Sequence, residues 1–265
     1  MNDKMPKNPA NCSSAPFPGS ARSRRRVLQV IYPGVKLLDI SGPLQVFRDA
    51  SQFTGGTGGY SCQLLSPSGG AVATDTGIVL ETRRLSSVRV RSKDLLLVHG
   101  GDGVFAAAAE RALPEWLARH ALRADLYGST CTGAFLLAAA GLLDDRRAVT
   151  HWNCCRRLQS EYPAVRVEAD PIFLEDRGAW TSAGVTAGID LALALVEQDF
   201  GRQTSLALAR SLVMYSRRPG GQAQFSPLLR QQVRDIDSPF EELHAWIRRH
   251  LSEKLPVRRL AKQVH

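Results

Sequence analysis

From Val27 onward, short apolar runs alternate with helix-like segments. VLQVIY is a β-branched run closed by Pro33-Gly34, the pattern of a strand buried inside a sheet. Gly42-Pro43 predicts a helix start with proline at the first helical position, and LQVFRDA continues that helix. YSCQLLS reads as the next strand, and AVATDTGIVLE as a hairpin turning at Asp75 and Gly77. DLLLVHGG, a continuous apolar run ending in glycines, predicts a strand covered on both faces. Helices are expected over 103–111 and 114–123, then a strand at ADLYGS and a strongly apolar helix at TGAFLLAAAGLL entered directly from it. RVEADPIFLEDRGAWTSAG reads as a meander, and 186–215 as two helices broken near Gly201. Such alternation predicts an α/β fold with a mostly parallel sheet, whose ligands sit at the carboxyl ends of the strands.

The two ends have a different texture. Residues 1–26 are rich in Asn, Pro and Ser and read as a disordered tail closing in the basic cluster RSRRR. Residues 217–239, with SRRPGGQAQFSP, read as a linker. FEELHAWIRRHLSE is an amphipathic helix with Ser238 as N-cap, Pro239 at its first position and Glu241 as the capping-box partner; a second helix opens at Pro256. Two helices of about 25 residues fall below the ~40 that usually fold unaided, so 240–265 reads as the unfinished start of a domain.

Charge follows the same division. The chain carries 34 Lys+Arg against 25 Asp+Glu, or +9, but residues 1–26 and 217–265 each hold +5 and the body between them −1. A near-neutral body suits a small ligand, whereas the basic excess belongs to the ends. No apolar run reaches the roughly 18 residues of a membrane span, and the N-terminus lacks the apolar region of a secretory signal. A cytoplasmic location without membrane contact is expected. The 5 cysteines lack CxxC spacing, which favours reduced thiols and offers no metal site. No cofactor motif is read.

The sharpest chemical feature is YGSTCTGAFLLAAAGLL, a thiol set between a buried strand and a helix, with Gly128 and Gly133 permitting a tight turn. That is the cysteine form of a nucleophile elbow, and the helix after Cys131 is expected to favour the thiolate. A buried core cysteine is the competing reading. The glycine turn GGDG places Gly100 and Gly101 after another strand, where the Gly101 and Thr132 amides would donate to an oxyanion. Asp39, in LLDISGP, would share a hydrogen bond with thiol or ligand, or else cap the helix near Pro43. His151, in AVTHWN, is the imidazole expected to partner Cys131 if the two meet in space. His99 precedes the glycines and is expected to line the same pocket.

LLDISGPLQVF, LLLVHGGDG, CTGAFLLAAAGLL, AVTHW and TSAGVTAGIDLALALVE recur in the order of the ThiJ/PfpI branch of the class I glutamine-amidotransferase-like superfamily, which residues 27–216 resemble. The C-terminal FSPLLRQQ and SPFEELHAWIRRHLSEKLPVRRLAKQVH resemble the entry to an AraC-type DNA-binding domain. The combination is similar to the GlxA-type transcriptional regulators. That resemblance implies a flavodoxin-like three-layer α/β sandwich followed by a partial all-α helix-turn-helix start, often as a homodimer sensing a small metabolite. It also implies a Cys–Thr–Asp set, matching Cys131, Thr132 and Asp39, as in isonitrile hydratase. Protease-like relatives carry His directly after the nucleophile; Thr132 stands there, which argues against peptidase activity. AraC-type domains place a recognition helix after LAKQV. DNA contact is therefore expected only through a complete helix-turn-helix region extending past His265.

Two readings follow. In the first, the chain is mainly the sensor of a transcriptional regulator, binding a metabolite among Asp39, His99, Gly100, Gly101, Cys131, Thr132 and His151. In the second, it is a cysteine-dependent hydratase or hydrolase, with Cys131 as nucleophile, Asp39 as proton shuttle and His151 as imidazole partner.

Overall fold

The computed structural model describes residues 24–53, 58–224 and 240–264, which fall into two compact units divided after Gln222. Eight strands of the first unit form one sheet, in the order β3 (Gly70–Ala73), β4 (Val79–Arg84), β2 (Tyr60–Ser66), β1 (Arg25–Val30), β5 (Leu95–Val98), β6 (Leu126–Thr130), β10 (Ala179–Ser182) and β9 (Phe173–Asp176). Neighbours from β4 to β10 run parallel, and an antiparallel pair closes each edge. A separate parallel pair joins β7 (Arg147–Ala148) to β8 (Arg166–Val167).

Two apolar cores make the sandwich. Leu28, Val30, Leu96 and Val98 face α2 (Val104–Ala109), α3 (Ala112–His120), α4 (Ala134–Ala139) and α5 (Cys155–Glu161). Val27, Leu95 and Leu97 face α1 (Leu37–Phe53), α6 (Ala187–Phe200) and α7 (Arg202–Ser211). This is the predicted flavodoxin-like layering, and all four residues of β5 are buried because helices cover both faces.

Local differences from the expected elements have identifiable causes. The first strand begins at Arg25 rather than Val27, because Arg25 and Arg26 find partners at its lower end: Arg25 pairs with Asp125 and Asp199, and Arg26 with Asp94. Helix α1 starts at Leu37, not at Pro43, which lies inside it. Its first amide is capped from a distance, Leu37 N–H donating to Asp75 Oδ1 at 2.9 Å across 38 residues. The missing N–H of Pro43 leaves the Asp39 carbonyl without its helical donor. The apolar helix after Cys131 opens with one tight 3-10 turn, Cys131–Gly133, and ends at Ala139.

In the second unit, α8 (Glu241–Arg249) and α9 (Val257–Ala261) are short, with Pro256 at the N-cap of the latter. Trp246 stacks on His250 at 4.2 Å between ring centroids, and the Arg259 guanidinium lies 5.1 Å from the Trp246 ring. The capping residues Ser238 and Pro239, most of the linker and the N-terminal tail through residue 23 lie outside the described residues. No helix among the described residues is long and apolar enough to cross a membrane.

Candidate functional site

The carboxyl ends of β5 and β6 meet at Cys131, which adopts φ +52 and is 3% exposed. Left-handed backbone at a residue with a side chain is uncommon and held only where the surroundings over-determine it. Here two glycines press on it. A Cβ added to Gly184 would lie 2.1 Å from the Cys131 Cβ, and one at Gly100 2.6 Å from it. The Cys131 carbonyl also accepts from Thr150 Oγ1 at 2.8 Å. Cys131 therefore sits at the elbow that the sequence predicts.

Asp39 stands opposite, fully buried on the first turn of α1. Its Oδ1 accepts the Val185 N–H, and the Cys131 thiol donates toward the same carboxyl. Burial raises this carboxyl to about 6 against the pull of the Val185 amide, the Cys131 thiol, Lys36 and His151. The same surroundings push the thiol up: burial first, then the Asp39 carboxylate, with only the Thr132 amide acting the other way. The expected thiolate is thus reversed, because a short helix start gives less than desolvation and a neighbouring negative charge take away.

Thr132 turns its hydroxyl to the glycine turn, accepting from Gly101 N–H at 2.9 Å and donating to Gly101 C=O at 3.2 Å. The Gly101 amide is consequently engaged rather than open to an oxyanion. The other elbow amide, that of Thr132, interacts with the Cys131 sulfur.

His99 does not line a surface pocket. It is fully buried, with Nε2 2.9 Å from Gln29 Oε1 and Nδ1 3.0 Å from Thr130 Oγ1, and burial lowers its pKa to about 3. Burial outweighs a ring hydrogen bond to the Asp39 carbonyl that acts the other way, so the ring is held neutral. It braces the residue just before Cys131 from below. His151 is half-buried, its Nδ1 2.6 Å from Asn153 Oδ1 and its ring 5.6 Å from that of Trp152. No hydrogen bond joins His151 to Cys131 among the described residues, and the ionisable group that acts most strongly on the thiol is Asp39.

Four residues of this site escaped the sequence reading: Gln29, Thr130, Gly184 and Val185. The signal for the last two was the glycine of TSAG, a strand end with the residue type a close backbone approach requires. No group of three or more His, Cys, Asp or Glu among the described residues is placed to hold a metal ion. The arrangement brings together a buried carboxyl, a buried thiol whose pKa is pushed up and, electrostatically coupled to the carboxyl, the half-buried His151 imidazole.

Known proteins place this geometry in context. The sequence profile described as the DJ-1/PfpI family matches residues 25–198. The chain is 32% identical over 190 residues to the HTH-type transcriptional regulator CdhR of Pseudomonas aeruginosa, covering 72% of this chain and 55% of that one. Similarity to the regulator GbdR of the same species is 26% over 248 residues, 94% of this chain and 66% of GbdR. The chain thus spans less than two thirds of either regulator. It is 30% identical over 177 residues to isonitrile hydratase of Pseudomonas putida, covering 66% of this chain and 72% of the hydratase. Among solved structures, a THiJ/PfpI family protein from Pseudomonas syringae superposes with a TM-score of 0.65 at 25% identity, over 85% of this chain and 94% of that one. With the elbow cysteine, the flanking glycines and the sandwich all in the positions the profile spans, the chain belongs to the DJ-1/PfpI family.

Proposed function

We propose that this chain is the sensing part of a transcriptional regulator: residues 27–216 bind a small polar metabolite beside Cys131 and Asp39, 217–239 link, and 240–265 begin an AraC-type DNA-binding domain. The observation that carries this is the reach of the similarity to GbdR, which runs over 248 residues and so extends well past the family domain into the C-terminal helices. The charge division supports it, since the ligand-binding body is −1 and the C-terminal part +5. DNA is contacted by the complete regulator, acting in the cytoplasm as a homodimer that matches paired half-sites.

Selection of duplexes from a random DNA pool by the full-length protein, with and without a metabolite mixture, tests the reading. A recurring sequence whose recovery changes with the mixture is expected; a pool that stays random in both arms contradicts it.

The rival is a hydratase with Cys131 as nucleophile, favoured by the 30% identity to isonitrile hydratase and by the set Cys131, Thr132 and Asp39. It ranks second because the thiol is pushed up and the Gly101 amide is already bonded to Thr132.

A further inference from the structure

Residues 183–190 touch the Cys131 site on one side and residues 217–222 on the other. Toward the site, Gly184 packs against Cys131 and Val185 N–H is held by Asp39 Oδ1. Away from it, Asp190, whose side chain is wholly buried, accepts from Arg218 Nε at 3.0 Å, Nη2 at 2.5 Å and the backbone N–H at 3.2 Å. Arg218 Nη2 also donates to Thr186 Oγ1 at 3.2 Å. A second route runs through the backbone: Ala183 N–H donates to Ile172 C=O at 2.8 Å, and Ile172 N–H to Gly220 C=O at 3.0 Å. Arg217 adds an ion pair with Glu197 on α6. Residues 217–222 are thus a strap buckled to the helix that starts at the site.

The buckle has a strained member. Val185 is β-branched and sits at φ +52, a conformation such residues avoid, and the Asp39 carboxylate holds its amide there. Its carbonyl receives Gly188 N–H at 3.3 Å and so belongs to the first turn of α6, which carries Thr186 and Asp190.

We propose that the 183–190 turn couples the site to the strap: a ligand that draws the Asp39 carboxyl toward itself frees Val185 from the left-handed conformation, resets the first turn of α6 and loosens Arg218 on Asp190. The inference rests on the sensing reading and names its transmission. Linkage makes the coupling reciprocal, so loosening the strap also opens the site. Packed elements move between discrete arrangements rather than deforming continuously, which is what a switch at this turn requires.

The test uses the 265-residue chain without DNA. Hydrogen exchange by mass spectrometry follows the peptide over 217–222 in wild type, Asp39→Ala, Val185→Gly and the double variant, with the β3–β4 hairpin as internal reference. Asp39→Ala is expected to speed exchange of the strap by about fivefold or more, the low end of allosteric couplings, with the hairpin unchanged. Val185→Gly, which removes the strain, is expected to abolish that effect in the double variant. In the reverse arm, Arg218→Lys keeps a charge at Asp190 but loses the fork, and is expected to speed iodoacetamide labelling of Cys131 by about threefold while Cys62 is unaffected. This arm decides alone if Asp39→Ala does not fold. Strap exchange within twofold of wild type, or equal acceleration at Cys62 and Cys131, overturns the coupling. These outcomes are independent of the DNA selection: coupling without sequence-specific DNA binding would sink the regulator reading only, and DNA binding without coupling would sink the strap.

Discussion

Gly184→Ala is expected to cost about 4 kcal/mol or more, in the rare upper tail of single substitutions. The added methyl would sit 2.1 Å from the Cys131 Cβ, 2.4 Å from its Cα and 2.5 Å from its backbone nitrogen. These are atoms fixed by the elbow, itself clamped by Gly100 on the other side, so the neighbour cannot rotate away as a flexible side chain would. Gly184 also adopts φ +79, which adds about 1–2 kcal/mol for any residue with a Cβ. Gly178→Ala separates the two contributions. Gly178 has φ +84 but nothing within 4 Å of an added Cβ, so it is expected to lose only the conformational part. Urea unfolding of both variants checks this, and equal losses would mean that crowding at Cys131 is not what requires the glycine.

The second large effect is on pH dependence, where two buried groups oppose one another. His99 has its folded pKa lowered to about 3, below the unfolded value of 6.5, so the unfolded chain takes up the proton first on acidification. Its contribution to stability is therefore lost below pH 6.5, at about 1.4 kcal/mol per pH unit down to about pH 3. Asp39 has its folded pKa raised to about 6, above the unfolded 3.8, so here the folded state takes the proton first. The cost of its buried charge, about 3 kcal/mol at neutral pH, is relieved as the pH falls from about 6 to 3.8. Asp39→Asn is accordingly expected to raise Tm by about 6–12 °C at pH 7.5, an advantage that disappears near pH 4. Without Asp39 to offset it, that variant should lose stability between pH 6.5 and 4.5 more steeply than wild type. His99→Gln should show the reverse, a flattened acid limb. Melting curves from pH 4 to 8 on the three proteins decide this; parallel profiles for all three would refute the assignment.

The sequence made the sheet readable and the site only half so. Strands such as DLLLVHGG and ADLYGS carry their burial in their own composition, and β2 matches YSCQLLS residue for residue. Cys131 was legible because a thiol between a buried strand and a glycine-containing turn has few other structural meanings. What surrounds it was not. The Asp39–Val185 bond spans 146 residues, and the start of α1 depends on Asp75 from a hairpin 38 residues away, contacts that no local pattern encodes. For the same reason Pro43 looked like a helix start: its local preference is for the first turn, but tertiary capping began the helix six residues earlier. His99 was drawn toward the pocket by its place before the glycines. In a parallel strand, though, alternation sends that side chain beneath α1 and α6, to Gln29 and Thr130.

On the proposed reading, a metabolite binds beside Cys131 and Asp39 and leaves unchanged. The most direct measurement is a thermal-shift screen of small polar metabolites on wild type, Asp39→Ala and Cys131→Ala, with mass spectrometry of each compound after incubation. At least one compound is expected to raise the wild-type melting temperature, to lose that effect in Asp39→Ala, and to be recovered intact. A compound consumed by wild type but not by Cys131→Ala would contradict the sensing account and establish the enzyme in its place.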